Sequence, residues 1–185
     1  LCNEFISFAK VLLVDVVETK EADVAQAVLN VCQKYGGGSV VLNNDVRLAE
    51  LGITDAVKAN FDSYVWDFSK DEENIEKSAA ANIGIVHGEY GLAESGGIVL
   101  FATKDNGRST SLLPTTSVVV VRKSKVLPRV AQLAQILHEK AQAGERMPSC
   151  INIISGPSAT ADIELIKVVG VHGPVSKIYV VIDDL

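Results

Sequence analysis

Residues 10–43 read KVLLVDVVETKEADVAQAVLNVCQKYGGGSVVLN, and this stretch decides the fold class. KVLLVDVVE (10–18) is apolar almost throughout, as strands covered on both faces are. Thr19 follows as an N-cap, with Glu21 and Asp23 in the first helical turn, where the helix dipole favours carboxylates. Val24, Val28, Val31 and Tyr35 then recur at helical spacing, with Ala25, Leu29 and Cys32 beside them. Three glycines, 36–38, end that helix because glycine readily takes the left-handed conformation of a C-terminal cap. SVVLN (39–43) returns as a second strand. Strand, helix and strand in this order are the unit from which parallel sheets are made.

Outward from this unit the alternation continues. DVRLAELGI (45–53) is a short amphipathic segment, SYVWDF (63–68) reads as a third strand, and KDEENIEKSAAA (70–81) as a helix with an acidic start. In NIGIVHGEYGLAESGGIVLFA (82–102) two apolar runs are separated by too few residues for a crossover helix, which predicts an antiparallel hairpin. TKDNGRSTSLLP (103–114) is a polar loop with an Asn-Gly turn signal, followed by the strand SVVVV (117–121). Pro128 suits the first turn of a helix carrying Val130, Leu133, Leu137 and Ala141 on one stripe, and Gly144 and Pro148 close it. CINIIS (150–155), ELIKVVGV (164–171) and SKIYVVID (176–183) supply the last apolar runs. The expectation is one α/β domain over residues 1–185, with a mixed, largely parallel sheet flanked by helices, parallel in the first half and antiparallel later.

Composition narrows the function. At 185 residues and 48% apolar, the chain can bury roughly 70% of the surface its unfolded form exposes. Seventeen basic and twenty-three acidic residues give a net charge of -6, without the basic surface that phosphate backbones demand, so nucleic acid is not an expected partner. The longest apolar runs fall well short of the roughly 20 residues that span a bilayer. No signal peptide is recognisable, and the expected location is the cytoplasm. The chain opens on Leu1, so a further segment is expected upstream. Cys2, Cys32 and Cys150 lack the spacing of a disulfide framework, a zinc site or an iron–sulfur cluster, and read as small apolar residues. No dinucleotide fingerprint or phosphate-binding loop follows a strand; YGGGSVV (35–41) runs from helix into strand, the wrong direction. Neither metal nor cofactor is expected.

SGPSATADIE (155–164) gathers hydroxyls and carboxylates around a Gly-Pro turn. In one reading Ser158, Thr160 and Asp162 line a strand-end turn shaped for an anion; in the other they cap the turn and satisfy neighbouring amides. Arg108, in a polar loop, suits bidentate contact with a carboxylate, and Ser109 adds a hydroxyl beside it. His138 lies on the polar side of its helix. His87 and His172 both follow apolar runs and precede glycine, at strand ends where α/β folds place their sites.

GLAESGGIVL (91–100), GRSTSLLP (107–114), SVVVVR (117–122), NIISGPSATADIEL (152–165) and GVHGP (170–174) stand in one order, and together they resemble the lactate utilization protein C family, the LUD domain. The likeness spans residues 82–183 in words and the first half in strand-helix rhythm. It implies a NagB/RpiA/CoA-transferase-like fold and a part in bacterial L-lactate oxidation to pyruvate, with iron–sulfur partners encoded in the same operon. The chain would then be a non-cluster subunit or accessory protein that binds a small anion. In fold relatives that transfer CoA, a glutamate in a Gly-containing turn is the nucleophile; Glu94, beside Ser95, occupies such a turn. His172, within a family phrase, would serve as acid or base. An independent CoA-transferase-like or sugar-phosphate-isomerase-like enzyme and a scaffold or regulatory protein stay open as alternatives.

Overall fold

The computed structural model describes residues 1–161 and 166–185. Helix α1 (Cys2–Val11) precedes β1 (Val14–Lys20), α2 (Val24–Lys34), β2 (Ser39–Leu42), α3 (Val46–Glu50), α4 (Ile53–Asn60), β3 (Asp62–Val65), α5 (Asp71–Ala80) and β4 (Ile83–His87). Then come β5 (Tyr90–Leu92), β6 (Gly97–Ala102), α6 (Ser109–Leu112), β7 (Thr116–Arg122), β8 (Val126–Leu127) and α7 (Val130–Gln142). β9 (Cys150–Ile154), β10 (Ala159–Thr160), β11 (Val168–Val169) and β12 (Ser176–Asp183) complete the described elements.

Six strands form an all-parallel sheet in the order β1-β12-β7-β4-β2-β3. Its two faces follow from the period of two along each strand. Val118, Val120, Ile178 and Val180 pack with Val28 of α2, Leu48 of α3 and Val57 of α4. Val119, Val121, Tyr179 and Val181 pack the other way, with Phe5 and Ala9 of α1 and Ile98 of β6. Phe5 stacks on Tyr179 at 5.5 Å between ring centres, and the buried Tyr179 hydroxyl donates to the Gly96 carbonyl at 3.0 Å. A second sheet, β8-β5-β6-β9, lies on this face, and Leu133 of α7 packs with its Leu92 and Val99.

Three readings of the sequence are corrected. Residues 10–13 are not strand: Cys2, Phe5, Ile6 and Ala9 form a buried helical stripe through Val11, and β1 starts at Val14 after Leu13 at φ 66°. The hairpin in 82–102 is β5 with β6, while β4 enters the parallel sheet between β2 and β7. The later half is not simply antiparallel, because β7 and β12 occupy the middle of the parallel sheet, while β5, β6 and β9, and the short β10–β11 pair, are antiparallel. Within the loop 103–114 the short α6 packs on β4. It can do so because Gly84 has no side chain: a Cβ there would stand 1.9 Å from the Thr110 carbonyl oxygen.

Candidate anion-binding site

Gly84, Ser117 and Lys177 stand side by side on β4, β7 and β12. By strand alternation they share a face with Val86, Val119 and Tyr179 one step along, so a polar row interrupts an apolar layer. Lys177, at the end of this row, lines a cavity of about 280 Å³. Ser111 and Leu112 of α6 make one wall, and Ser155–Ser158 with His172–Pro174 make another. That second wall is locked by the backbone: the Ser158 N–H donates to Pro174 O at 2.9 Å and the Gly170 N–H to Ser158 O at 2.8 Å. Pairing of Ala159 with Val169 and Thr160 with Val168 extends the lock. Two phrases of the sequence, SGPSAT and GVHGP, thus become one surface.

Lys177 is only 3% exposed. Its Nζ reaches Ser117 Oγ at 3.4 Å, and among the described residues no carboxylate lies within ion-pair distance of it. Burial alone pushes its ammonium down to about 8. A buried charge is normally paired, because removing it from water is expensive. An ammonium lining a cavity without a counter-charge presents the electrostatic half of an anion site. The Ser111 and Ser158 hydroxyls line the same cavity and could share the remaining oxygens of a ligand.

A second polar recess opens at the carboxyl ends of β2 and β4, on the other side of Ser111. The chain leaves β2 toward β3 and leaves β4 toward β7, so these two ends border the switch point where open α/β sheets hold ligands. Asn43, His87, Asn106, Arg108 and Asn152 line it, and at about 10 Å³ it has room for roughly one water. The Asn43 Oδ1, the Asn106 Oδ1 and both His87 ring nitrogens are buried there without a hydrogen bond of normal geometry. The Gly88 carbonyl sits near the ring and slightly favours its protonated form. Burial, reinforced by the Arg47 guanidinium, outweighs this and lowers His87 to about 4, so the ring is neutral at physiological pH. Arg47 is itself held between Asp45, at 2.7 Å, and Glu89, at 2.9 Å. Burial works against the Asp45 carboxylate, yet Arg47 keeps it below the usual carboxylate range.

The residues singled out from sequence are divided among these places. Ser158 and His172 line the Lys177 cavity, with His172 exposed at its rim. Arg108 lines the other recess, and its carbonyl accepts the Ser111 hydroxyl at 3.1 Å. Ser109 points to α5, where its hydroxyl meets that of Ser78 at 3.1 Å. Glu94 accepts the Val130 N–H at 2.7 Å and so holds the start of α7, with Ser95 beside it in the β5–β6 turn; neither lines either cavity. Thr160 belongs to the β10–β11 pair, and Asp162 lies outside the described residues. Sequence reading passed over Lys177, although a signal was there: in SKIYVVID, Lys177 alternates with Tyr179 and Val181, and a strand covered on both faces has no wet side. Asn43, at the end of an apolar run, and Asn106, in the Asn-Gly turn of the polar loop, were likewise missed as members of a recess.

The family description that matches residues 2–182 is the LUD domain. The chain belongs to the LUD domain family. The whole run from the buried face of α1 to the last residues of β12 therefore lies within one recognised unit. Uncharacterized protein YkgG of Escherichia coli strain K12 is 56% identical over 184 residues, covering 99% of this chain and 80% of that protein. Lactate utilization protein C of Macrococcus caseolyticus is 45% identical over 92% of this chain and 72% of its own length. The Bacillus subtilis protein of the same description is 42% identical, over 92% and 73%. A crystal structure of a DUF162 family protein from Deinococcus radiodurans superposes with a TM-score of 0.68 at 19% identity, covering 97% of this chain and 94% of that one. That likeness is one of fold: the parallel sheet with its layered helices is shared by the LUD domain described here. Among the described residues of this LUD domain no three His, Cys, Asp or Glu side chains converge, and no helix is long and apolar enough to cross a membrane.

Proposed function

We propose that this chain is a component of a bacterial system that oxidises L-lactate to pyruvate, and that it holds a small carboxylate in the Lys177 cavity while iron–sulfur partners carry the electrons. Relatives at 41–45% identity described as lactate utilization proteins support the system. One observation carries the ligand class: Lys177, 3% exposed and without a carboxylate partner among the described residues, lines an open cavity. In this reading the ligand carboxylate supplies the missing charge, and the Ser111 and Ser158 hydroxyls take further oxygens. His172 at the rim is placed to hold or pass a proton at a hydroxyl or carbonyl group. Arg108, in the neighbouring recess, adds positive potential at the entrance side of α6.

Deletion of the gene is expected to abolish growth on L-lactate while growth on glucose persists, and the tagged protein is expected to co-purify with iron–sulfur proteins from lactate-grown cells. Calorimetric titration with lactate and pyruvate is expected to show binding that Lys177→Met removes. Normal lactate oxidation without the gene would overturn the assignment to the system. Unchanged ligand binding in Lys177→Met would overturn the site.

A further inference from the structure

A primary amine enclosed in a cavity is a nucleophile as well as a cation. Lys177 lines about 280 Å³ of space, ample for a three-carbon acid when a water in the liquid occupies about 30 Å³. No carboxylate among the described residues holds its proton, and its one described hydrogen bond, to Ser117 Oγ at 3.4 Å, is long. We propose that Lys177 condenses reversibly with the carbonyl carbon of a small 2-oxo acid in this cavity, so that the oxidised ligand is held as an imine and the 2-hydroxy acid by charge alone. This rests on the reading of the cavity as a carboxylate site.

The step balances without any oxidant or reductant. The nitrogen lone pair attacks the carbonyl carbon, the C–O π pair moves to oxygen, and the proton that the nitrogen then sheds passes to that oxygen to give a neutral carbinolamine. The nitrogen lone pair then expels the hydroxyl as water, leaving a carbon–nitrogen double bond. The Ser117 hydroxyl beside Nζ can take up the nitrogen's proton, Ser158 in the cavity wall can pass protons on, and His172 at the rim can deliver one to the departing water. Desolvation lowers the ammonium to about 8, which supplies free amine near neutral pH. The product is an iminium, and it stays cationic. A buried carboxylate therefore has its counter-charge both before the reaction, as the ammonium, and after it, as the iminium, whereas a product that ended neutral would strand it. A 2-hydroxy acid offers no electrophilic carbon, so the cavity discriminates between the two oxidation states of one carbon skeleton.

The test uses the purified full chain, pyruvate or L-lactate as probe, and sodium cyanoborohydride to reduce any imine, followed by intact mass and peptide mapping. Pyruvate is expected to give a single reduced adduct on Lys177, lactate none, and Lys177→Arg and Lys177→Met are expected to lose it. Should either variant fail to fold, the site mapped in the unaltered protein decides. No adduct on Lys177, or labelling spread evenly over exposed lysines, overturns the imine. If calorimetry still shows pyruvate binding in that case, the carboxylate site stands and the covalent step alone falls. If neither acid binds at all, the carboxylate site falls with it.

Discussion

Lys177 and His87 are buried titratable groups on neighbouring parts of one sheet, and both make stability rise with pH, each in its own window. The folded Lys177 gives up its proton at about 8, and the unfolded chain keeps it to about 10.5. Between those values the unfolded state binds more protons, so stability rises with pH; below about 8 the burial penalty is present in full. Without ligand, Lys177→Met is expected to be more stable at pH 7 by about 1–4 kcal/mol and to lose the rise between pH 8 and 10, as read by urea unfolding. His87 is faced by Arg47, Asp45 and Arg122, and it falls from 6.5 to about 4 on folding. Its contribution is full above pH 6.5 and is lost as pH drops toward 4, an acid limb of about 3 kcal/mol that unfolding at stepped pH would measure and His87→Gln should flatten. Lys177 was accessible to a reader of the sequence by parity along its strand, but lysine is so seldom enclosed that its position reads first as a strand end. The His87 recess was not accessible, because its other members, Asn43, Asn106 and Asn152, come from three separate segments that only the sheet order brings together.

Among the elements, α6 separates the two polar cavities, and its seat depends on one missing methyl group. Gly84→Ala would place Cβ 1.9 Å from the Thr110 carbonyl oxygen, which is backbone and cannot swing away. Overpacking of this kind is expected to destabilise by about 1–3 kcal/mol or more, and by moving Ser111 to weaken stabilisation by carboxylates, both visible in thermal unfolding. Glu94 acts at a different element. Its carboxylate takes the Val130 N–H at the start of α7, and Glu94→Ala is expected to remove about 0.5–2 kcal/mol, measurable by denaturant unfolding. The end of α2 and the acidic start of α5 were plain in the sequence, since glycines and carboxylates mark them locally. Thr19, by contrast, belongs to β1, α2 starts only at Val24 after a short turn through Glu21–Asp23, and Pro128 stands ahead of α7 rather than in its first turn. The start of β1 was not plain either. Val11, Leu12, Leu13 and Val14 are equally apolar, and what ends α1 is a turn through Leu13 in the left-handed region, for which leucine gives no signal. The β4–β5–β6 stretch was half legible: the short spacing required a hairpin, but two apolar runs could not say that three strands in two sheets were being written.

At the scale of the molecule, the parallel sheet expected from the first forty residues is present, and the second sheet is an addition that roofs one of its faces. The family phrases were legible because they cluster where backbone geometry is demanding: the Gly-Pro turn at 156–157 and the Gly-Pro pair at 173–174, which lock to each other through Ser158. The first half offered only rhythm, since strands and helices that pack a core accept many apolar substitutions. The position of β12 has a further consequence. It is the penultimate strand from one edge, filling the gap between β1 and β7, so Val14 at one end of the chain must wait for Lys177 at the other. Loop closure over that separation sets the pace of assembly, and until it happens both β1 and β7 present unpaired edges. A chain cut before residue 176 is expected to remain a collapsed, aggregation-prone intermediate, checked by light scattering during refolding. Supplying residues 176–185 as a free peptide should then restore the sheet in trans, which makes the last strand of this domain its folding clasp.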